Sequence, residues 1–332
     1  MKRLIAEFEK QSFTQIIFPH KNTDWSPYLE EAQKTFVNII NAITKYQKCL
    51  VVSYDVEAVK KHFSEDENLF FVPYVCDDTW ARDCSALSLQ NAGQTELLDF
   101  TFTAWGGKFE ASRDNLMSQN LSKHYSAPLV KCDFILEGGG IESNGEGLIL
   151  TTSECILNAN RNATFSPKEV DEKLRQYFGA KEILTLNHGY LSGDDTDSHI
   201  DTLARFVSRD TIMYVKCEDK NDEHYEALRL MEEELLSHAK RHKLKLIVLP
   251  MTDALFYEDE RLPSTYANFL FVNGALIVPT YGVKQDEKAL QIFRETFKDM
   301  DVIGVDCSVL VRQHGSLHCV TMNFASDVTL VF

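Results

Sequence analysis

Carboxylates and a histidine are concentrated in one short stretch of this chain. The segment Gly193–Phe206 contains four aspartates and one histidine and then continues into an apolar run. Its first half has the composition of a loop, and the pattern from His199 onward predicts a strand. Alternate side chains of a strand share a face, so His199 and Asp201 would point into one space. A proton carrier beside a fixed negative charge suits a cationic substrate whose reaction needs a proton. A solvated acidic turn with a packed histidine would have the same pattern.

Three further segments could contribute to chemistry or binding, and each has a purely structural alternative. Asp77–Asp83 places acids beside Trp80 after a strand, although an ion pair with Arg82 inside a surface turn explains the same residues. In Leu136–Gly140, Glu137 is followed by three glycines, which permit a close approach of the backbone to another group or simply form a flexible turn. Phe102–Gly107 is an aromatic run that could line a pocket or pack in the core.

A fourth segment, Gly315–Thr321, contains the adjacent pair His318 and Cys319. On an extended strand these two side chains would face opposite sides. If Cys319 is a nucleophile, its proton partner must therefore come from elsewhere, and His199 is the best candidate. A cysteine in such a run can also be a small buried hydrophobic residue.

Composition excludes several classes of function. The 332 residues include 44% apolar and 25% charged residues, and the formal net charge is −16. No basic cluster could neutralise phosphates, so nucleic acid is not an expected partner. No stretch of 18 apolar residues occurs, and charge interrupts the N-terminus too early for a signal peptide, so we expect a cytoplasmic protein without a membrane span. None of the eight cysteines forms a Cys-x-x-Cys pair, and there is no glycine-rich nucleotide motif.

Strand and helix patterns alternate along the whole chain, without a linker. Ser166-Pro167-Lys168-Glu169 predicts a capped helix that ends near Gly179. Turn signals at Ser143–Gly147 and Asn273-Gly274 predict antiparallel hairpins, which a purely parallel sheet does not contain. A unit of two or three strands and one helix recurs about five times without recognisable residue repeats. The pattern favours a propeller-like α/β domain built from mixed sheets.

Nine short blocks, taken together, match one protein family in order and spacing. The blocks are Trp80-Ala81-Arg82-Asp83, Phe102-Thr103-Ala104-Trp105-Gly106-Gly107, Glu137-Gly138-Gly139, Leu150-Thr151-Thr152, Arg161-Asn162, Asp197-Ser198-His199-Ile200-Asp201, Asn268-Phe269-Leu270, Ile277-Val278-Pro279-Thr280-Tyr281-Gly282 and His318-Cys319. The sequence resembles the agmatine deiminase and bacterial-type peptidyl-arginine deiminase family of the guanidine-modifying pentein superfamily. The likeness extends from Glu7-Phe8-Glu9 to Cys319.

The resemblance implies a fold, a domain organisation and a reaction. The implied fold is an α/β pentein propeller, in which five ββαβ-type modules surround a pseudo-fivefold axis and a central active-site channel. Residues 1–332 would form one catalytic domain of the agmatine deiminase type. The implied enzyme is a hydrolase of C–N bonds in linear amidines. Motif by motif, Cys319 would be the nucleophile and His199 the acid and base, Asp83 and Asp201 would hold the guanidinium, and Glu137 would orient or neutralise His199.

These assignments are chemically coherent. A guanidinium is a planar, permanent cation and a poor electrophile. Two carboxylates would fix its plane and offset its charge while a cysteine thiolate attacks the central carbon. The imidazole would protonate the departing nitrogen and then activate the water that hydrolyses the amidino-thioether. Because the carboxylates supply the electrostatics, we expect no cofactor and no metal.

Agmatine is the first substrate to consider. The product would be N-carbamoylputrescine, on a route to putrescine, and peptidyl-arginine is the alternative because the family includes such enzymes. Candidates for the substrate-binding positions are Trp80, Asp194, Asp195, Trp105 and Asn268. The chain departs from the family pattern at Ser85-Ala86, where Gly-Pro is usual, at Ser198, where glycine is common, and at Arg312–Leu317, which replaces a glycine-rich run.

Two other classes of protein remain open from the sequence. Converging Cys, His, Asp and Glu side chains could bind a divalent metal, although no spacing here matches a known ligand pattern. A non-catalytic binding module would tolerate Cys319→Ala, which an enzyme with this nucleophile would not. A homo-oligomer is possible in either case.

Overall fold

Short strands and helices alternate along the chain, as the sequence pattern predicts. The structure is a computed structural model that describes residues 2–332. The strands are β1 (Arg3–Leu4), β2 (Gln11–Ile17), β3 (Lys48–Ser53), β4 (Leu69–Pro73), β5 (Leu87–Asn91), β6 (Gln94–Thr101), β7 (Leu129–Ile135), β8 (Ile141–Ser143), β9 (Leu148–Thr152), β10 (Glu182–Leu186), β11 (Ala204–Ser208), β12 (Thr211–Lys216), β13 (Lys245–Pro250), β14 (Phe256–Tyr257), β15 (Glu260–Arg261), β16 (Leu270–Val272), β17 (Ala275–Thr280), β18 (Asp301–Asp306) and β19 (Thr321–Ala325). The helices are α1 (Leu29–Ile43), α2 (Val56–Lys60), α3 (Ala81–Cys84), α4 (Ala104–Gly107), α5 (Met117–Leu121), α6 (Ser153–Ile156), α7 (Pro167–Phe178), α8 (Tyr225–His242) and α9 (Gln285–Thr296).

Five sheets within residues 2–332 repeat one pairing pattern. In each sheet, a strand pairs antiparallel with its neighbour, which then pairs parallel with a third strand after a helical connection. The triplets are β19-β2-β3, β5-β6-β7, β8-β9-β10, β11-β12-β13 and β16-β17-β18. Strands β4 and β1 extend the first two sheets. The fold is therefore α/β with mixed sheets, and the recurring unit predicted from the sequence is present.

Local sequence signals explain where several elements begin and end. Ser166 and Glu169 form the predicted capping box at the start of α7, and Gly179 ends this helix in a left-handed conformation (φ 62°). The predicted hairpins are also present, since β8 pairs antiparallel with β9 and Val272 lies opposite Ala275 across the Asn273-Gly274 turn. Strand β6 was not predicted. It follows a tight turn in which Ala92 and Gly93 both have positive φ (50° and 89°).

Apolar side chains from the sheets and helices fill the interior. The larger cluster includes Trp25, Phe36 and Phe269, which are fully buried. A smaller cluster around β10, β11, β12 and α8 includes Phe206 and Met231. Across residues 2–332, the structure contains no helix with the length and apolar character needed to cross a membrane.

Two local predictions around the chemistry-bearing residues are wrong. Ile200–Thr202 forms a 3₁₀ turn, and strand β11 begins only at Ala204, so His199 and Asp201 do not lie on a strand. His318 and Cys319 lie in a turn before β19. Both side chains approach Asp201, so the expectation that they face opposite sides fails.

Candidate active site

A small cavity with acidic and aromatic walls contains the Cys319 side chain. Its volume is about 90 Å³. Five residues predicted from the sequence line it, namely Cys319, Asp83, Trp80, Trp105 and Asp195. The other lining residues are Asp24, Asp78, Phe109, Thr196, Gln313, His314 and Gly315. The cavity therefore combines a thiol, carboxylates and indole rings, which is a suitable environment for an organic cation.

Cys319 is buried and held by Asn268. Its backbone N–H donates to Asn268 Oδ1 at 3.3 Å, and its Sγ lies 3.3 Å from Asn268 Nδ2. Burial, followed by the Asp201 and Asp83 carboxylates, raises the pKa of the Cys319 thiol well above its usual range. Burial and these carboxylates both favour the neutral thiol, and a cation beside the carboxylates would oppose their part of this effect. Asn268 thus positions the Cys319 segment, and its role in substrate binding stays a prediction.

Asp83 lies on α3 with both carboxylate oxygens in use. Oδ1 accepts from the Gly139 backbone N–H at 2.9 Å, and Oδ2 accepts from Trp105 Nε1 at 3.0 Å. Burial raises the pKa of Asp83 above its ordinary value, against the lowering effect of His199. Trp105 therefore fixes the orientation of this carboxylate as well as lining the cavity.

Asp201 lies in the 3₁₀ turn with one oxygen in use and one without a partner. Oδ2 accepts from His318 Nδ1 at 2.7 Å, whereas Oδ1 is buried and has no hydrogen-bond partner among residues 2–332. Burial opposes ionisation of Asp201, but the hydrogen bond and charge of His318 keep its pKa below the ordinary value. A buried carboxylate oxygen without a donor is ready to accept an N–H group from a ligand.

Gly139 lets the two aspartates and the histidine meet. A Cβ on this residue would lie 2.7 Å from His199 Nδ1, 2.9 Å from Asp83 Oδ1 and 3.1 Å from Asp201 Oδ2. Gly138 is equally constrained, because a Cβ there would lie 2.3 Å from the Arg82 carbonyl oxygen. The glycine triplet therefore serves close approach of the backbone, not flexibility.

His199 is buried between acidic groups. Its Nδ1 lies 3.7 Å from Asp83 Oδ1, and its Nε2 lies 3.8 Å from Glu137 Oε2. Neither ring nitrogen has a hydrogen-bond partner among the described residues. Burial works to lower the pKa of His199, but Asp83, Cys155 and Glu137 outweigh it and raise the pKa well above the usual value. The raised pKa favours the protonated imidazole, and its ring nitrogens are without a partner within residues 2–332, as a proton donor to a ligand requires.

Glu137 is paired with Arg161, a residue to which the sequence gave no role. Arg161 Nε donates to both carboxylate oxygens, at 2.9 and 3.2 Å, and its Nη1 donates to Asp197 at 2.6 Å. Burial opposes ionisation of Glu137, but His199 and Arg161 keep its pKa below the ordinary value. Arg161 therefore connects Glu137 to the loop that carries His199.

The backbone before His199 explains why glycine is common at position 198. Asp197 and Ser198 both adopt left-handed conformations, with φ of 64° and 63°. Asp194 accepts from the Ser198 N–H at 2.7 Å, and Thr152 donates to the Ser198 carbonyl at 2.7 Å. These contacts hold a serine where glycine would be unstrained. Asp194 thus supports this loop, and its role as a substrate ligand stays a prediction.

One group of donor atoms has the spacing of a metal site. Among residues 2–332, only Glu137, Cys155 and His199 form such a group, with donor atoms within 4.8 Å of one another. Arg161 already places a guanidinium against Glu137. A divalent cation would add charge beside this guanidinium, and the donor set therefore suits a hydrogen-bonded cluster better than a metal.

Two half-buried aspartates also line the cavity. Burial raises the pKa of Asp78 to about 7 and that of Asp195 to about 6. Asp78 accepts from Trp80 Nε1 at 2.8 Å, and Gly315 lies so close to Trp80 that a Cβ would come within 2.1 Å of its ring. The altered segment before His318 thus retains a glycine where the indole requires one. A cationic group entering here would restore the negative charge of both aspartates.

Comparison with known proteins agrees with this geometry. The chain belongs to the Porphyromonas-type peptidyl-arginine deiminase family, whose model matches residues 3–324. Among solved structures, it is similar to C. jejuni agmatine deiminase with substrate bound, at 42% identity, a TM-score of 0.93 and coverage of 98% of this chain and 96% of that one. It is also similar to the agmatine deiminase of Enterococcus faecalis, at 27% identity, a TM-score of 0.90 and coverage of 97% and 95%. A relative from Legionella pneumophila strain Philadelphia 1, named an agmatine deiminase by inference, is 30% identical over 98% of this chain and 95% of its own length.

Proposed function

We propose that the protein is an agmatine deiminase, which hydrolyses agmatine to N-carbamoylputrescine and ammonia. One observation carries the proposal: a buried thiol shares a small acidic cavity with Asp83 and lies 3.8 Å from Asp201, whose second oxygen has no partner among the described residues. Relatives named as agmatine deiminases, similar over nearly the whole chain, support the same reaction.

The proposed roles follow from the charges. The planar guanidinium lies between Asp83 and Asp201, which accept its N–H groups and are neutralised by it. Because these two carboxylates raise the pKa of Cys319, the bound cation favours loss of the thiol proton to water. The substrate thereby helps to ionise the nucleophile that attacks it.

The chemical steps use the protonated imidazole. Cys319 Sγ forms a bond to the central guanidinium carbon, giving a tetrahedral adduct. His199 transfers its proton to one terminal nitrogen as the C–N bond breaks, and ammonia leaves. The neutral imidazole then takes a proton from water, whose oxygen attacks the amidino-thioether. The C–S bond breaks, the remaining O–H proton passes to water, and the ureido product and the thiolate are released. Glu137, held by Arg161, stabilises the charged form of His199 throughout.

The cavity walls favour agmatine among guanidines. Asp24, Asp78 and Asp195 surround the space beyond the reacting group, and no lysine or arginine of the described chain lines it. The second cation of agmatine would meet carboxylates there, whereas the α-carboxylate of free arginine would be repelled. Peptidyl-arginine, the alternative, has no charge at the corresponding position and would leave these carboxylates without a cation.

We also propose that the five sheet modules surround a central channel with pseudo-fivefold symmetry, and that residues 1–332 form one catalytic domain. The distribution of the proposed catalytic residues supports this arrangement. Asp83 follows the sheet of β2, β3 and β4, Glu137 follows β7, His199 precedes β11, and Cys319 precedes β19. Side chains from different modules converge on one small space, as expected when modules are arranged around an axis. We place the enzyme in the cytoplasm, in a route to putrescine.

Ammonia release from purified protein tests the function. The substrates are agmatine, free arginine and a blocked arginine peptide, and the variants are Cys319→Ala and the matched buried cysteine variant Cys49→Ala. Agmatine alone should release ammonia, and only Cys319→Ala should abolish it. Preference for the peptide would identify peptidyl-arginine as the substrate and leave the proposed chemical steps unchanged. Absence of ammonia from all three, or activity in Cys319→Ala, would contradict the proposal.

A further inference from the structure

His318, the neighbour of the proposed nucleophile, is enclosed between two carboxylates. Its Nδ1 lies 2.7 Å from Asp201 Oδ2, and its Nε2 lies 2.5 Å from Glu7 Oε2. The His318 side chain is 2% exposed, that of Glu7 8%, and that of Asp201 is fully buried. Glu7 comes from the segment between β1 and β2, so this contact spans 311 positions of the chain.

The arrangement determines the charge of the ring. Burial raises the pKa of Glu7, but the charges of His318, Arg205 and Arg82 outweigh it and keep that pKa well below the ordinary value. Burial likewise raises the pKa of Asp201, but the hydrogen bond and charge of His318, together with the charges of His199 and Arg205, outweigh it and keep that pKa below the ordinary value. Ionised carboxylates can only accept hydrogen bonds, so both ring nitrogens must donate. One carboxylate contact on each ring nitrogen, at 2.7 and 2.5 Å, fits the imidazolium form of His318.

Two arginines and a second glutamate form ion pairs around Glu7. Arg82 Nη2 lies 3.2 Å and Arg205 Nη2 lies 3.0 Å from Glu7 Oε2. Arg205 also donates to Glu142, and the Arg82 Nε contacts the His318 carbonyl at 3.5 Å. Glu7 is thus the acceptor shared by three cations. This arrangement fixes the far side of the His318 ring and leaves its Nδ1 directed at Asp201.

Asp201 links this cation to the thiol. The same oxygen that accepts from His318, Oδ2, lies 3.8 Å from Cys319 Sγ. Its other oxygen has no partner within residues 2–332. The imidazolium therefore determines which oxygen of Asp201 is available to a ligand, and it offsets the negative charge nearest to the sulfur.

We propose that His318, fixed by Glu7, is a positioning residue that orients Asp201 and lowers the free energy needed to ionise Cys319. The inference rests on the proposed deiminase function. It gives His318 and Glu7 a role in that function, in addition to the nucleophile, the acid and the two guanidinium-binding aspartates. His318 itself does not reach the reacting atoms. It acts through Asp201, and Glu7 acts through His318.

Three variants separate orientation from charge. His318→Asn keeps a donor near the position of Nδ1 but removes the positive charge, whereas His318→Gln places its amide towards Glu7 and leaves Asp201 without a donor. Glu7→Gln keeps the ring but removes one of the two carboxylates that hold its proton. The matched control is His224→Asn, since His224 is also buried and paired with an aspartate, Asp222, at 2.7 Å.

The diagnostic readout is the pH dependence of Cys319 alkylation by iodoacetamide, followed by mass spectrometry of its peptide. In His318→Asn, the midpoint of the alkylation profile should rise by about one pH unit. At a fixed pH below the midpoint, alkylation should therefore be about tenfold slower. In steady-state assays with agmatine, His318→Asn should lower kcat more than it raises KM, while His318→Gln should also raise KM. Glu7→Gln should lose progressively more activity as the pH rises. The His224→Asn control should lower only the melting temperature.

An unchanged alkylation profile in both His318→Asn and Glu7→Gln would overturn the assignment, even if both variants were less stable. If His318→Asn does not fold, Glu7→Gln and the same alkylation profile decide the question. If the wild-type protein releases no ammonia from any guanidine, the proposed function has failed, whereas the alkylation profile still tests the contact between His318, Asp201 and Cys319.

Discussion

Asp83→Asn removes one of the two carboxylates proposed to hold the guanidinium. The wild-type oxygens accept from Gly139 N–H and Trp105 Nε1, so the new amide group must direct its NH₂ at one of these donors. A hydrogen bond to a charged group contributes about 1.5–3 kcal/mol. About 1.4 kcal/mol corresponds to a factor of ten in rate. Loss of this hydrogen bond, together with the unfavourable contact of the new NH₂ group, should therefore lower kcat/KM for agmatine about 100-fold.

The same substitution should change the pH profile. Asp83 provides the largest of the contributions that raise the pKa of His199. Its removal lowers that pKa, so the imidazole loses its proton at a lower pH. Because the proposed mechanism needs the protonated imidazole for departure of ammonia, the descending, alkaline limb of kcat/KM should move to lower pH in Asp83→Asn.

The assay is ammonia release across pH, with circular dichroism to confirm folding. Asp99→Asn is the matched control, because Asp99 is a buried carboxylate on β6 that accepts from Gln119. It should retain wild-type kinetics. A loss of less than about threefold in Asp83→Asn, or an alkaline limb that does not move, would refute the reasoning, since hydrogen bonds to charged groups contribute more than this.

Three other perturbations have defined outcomes. Asp195→Asn should raise KM about tenfold, which corresponds to about 1.4 kcal/mol of lost binding free energy. In the wild type, KM should rise as the pH falls through about 6, because Asp195 takes up a proton there. A wild-type KM that does not change with pH would argue against a contact between Asp195 and the substrate. Arg161→Met leaves Glu137 buried without its cation and should lower the free energy of unfolding by about 3–5 kcal/mol in urea, whereas a loss under about 1 kcal/mol would mean that the pair behaves like a surface one. Gly139→Ala should lower kcat/KM about 100-fold, because the new Cβ would displace the catalytic groups near it. The control is Gly304→Ala, whose Cβ would lie 3.1 Å from Thr280 outside the site. Equal activity of the two variants would contradict the close-approach argument.

The sequence predicted those parts of the fold and site that depend on local patterns. The α7 capping box, the Asn273-Gly274 hairpin and the alternation of strands and helices are all encoded within a few residues. The family blocks also selected Asp83 and Cys319, which the structure places at the same cavity. Their catalytic roles remain predictions, which the experiments above test.

Long-range contacts determined what the sequence could not predict. The His199 segment has strand-like composition, but Asp197 and Ser198 are left-handed. Arg161, from elsewhere in the fold, holds Asp197, while Asp194 of the same loop accepts from the Ser198 N–H. Asp194 and Asp195 are adjacent and chemically equal, and only the loop conformation decides that one supports the loop while the other lines the cavity. The contact of Glu7 with His318 likewise joins residues near the two ends of the chain, and no local spacing indicates it.

The most direct test of the account is to trap the covalent intermediate. Wild-type protein mixed with agmatine is quenched in acid within the first turnovers, digested and examined by mass spectrometry, with ammonia measured in parallel. The account predicts an amidino adduct on the Cys319 peptide and an initial release of one ammonia for each adduct formed. Ammonia release without an adduct, or an adduct on any other cysteine, would contradict Cys319 as the nucleophile.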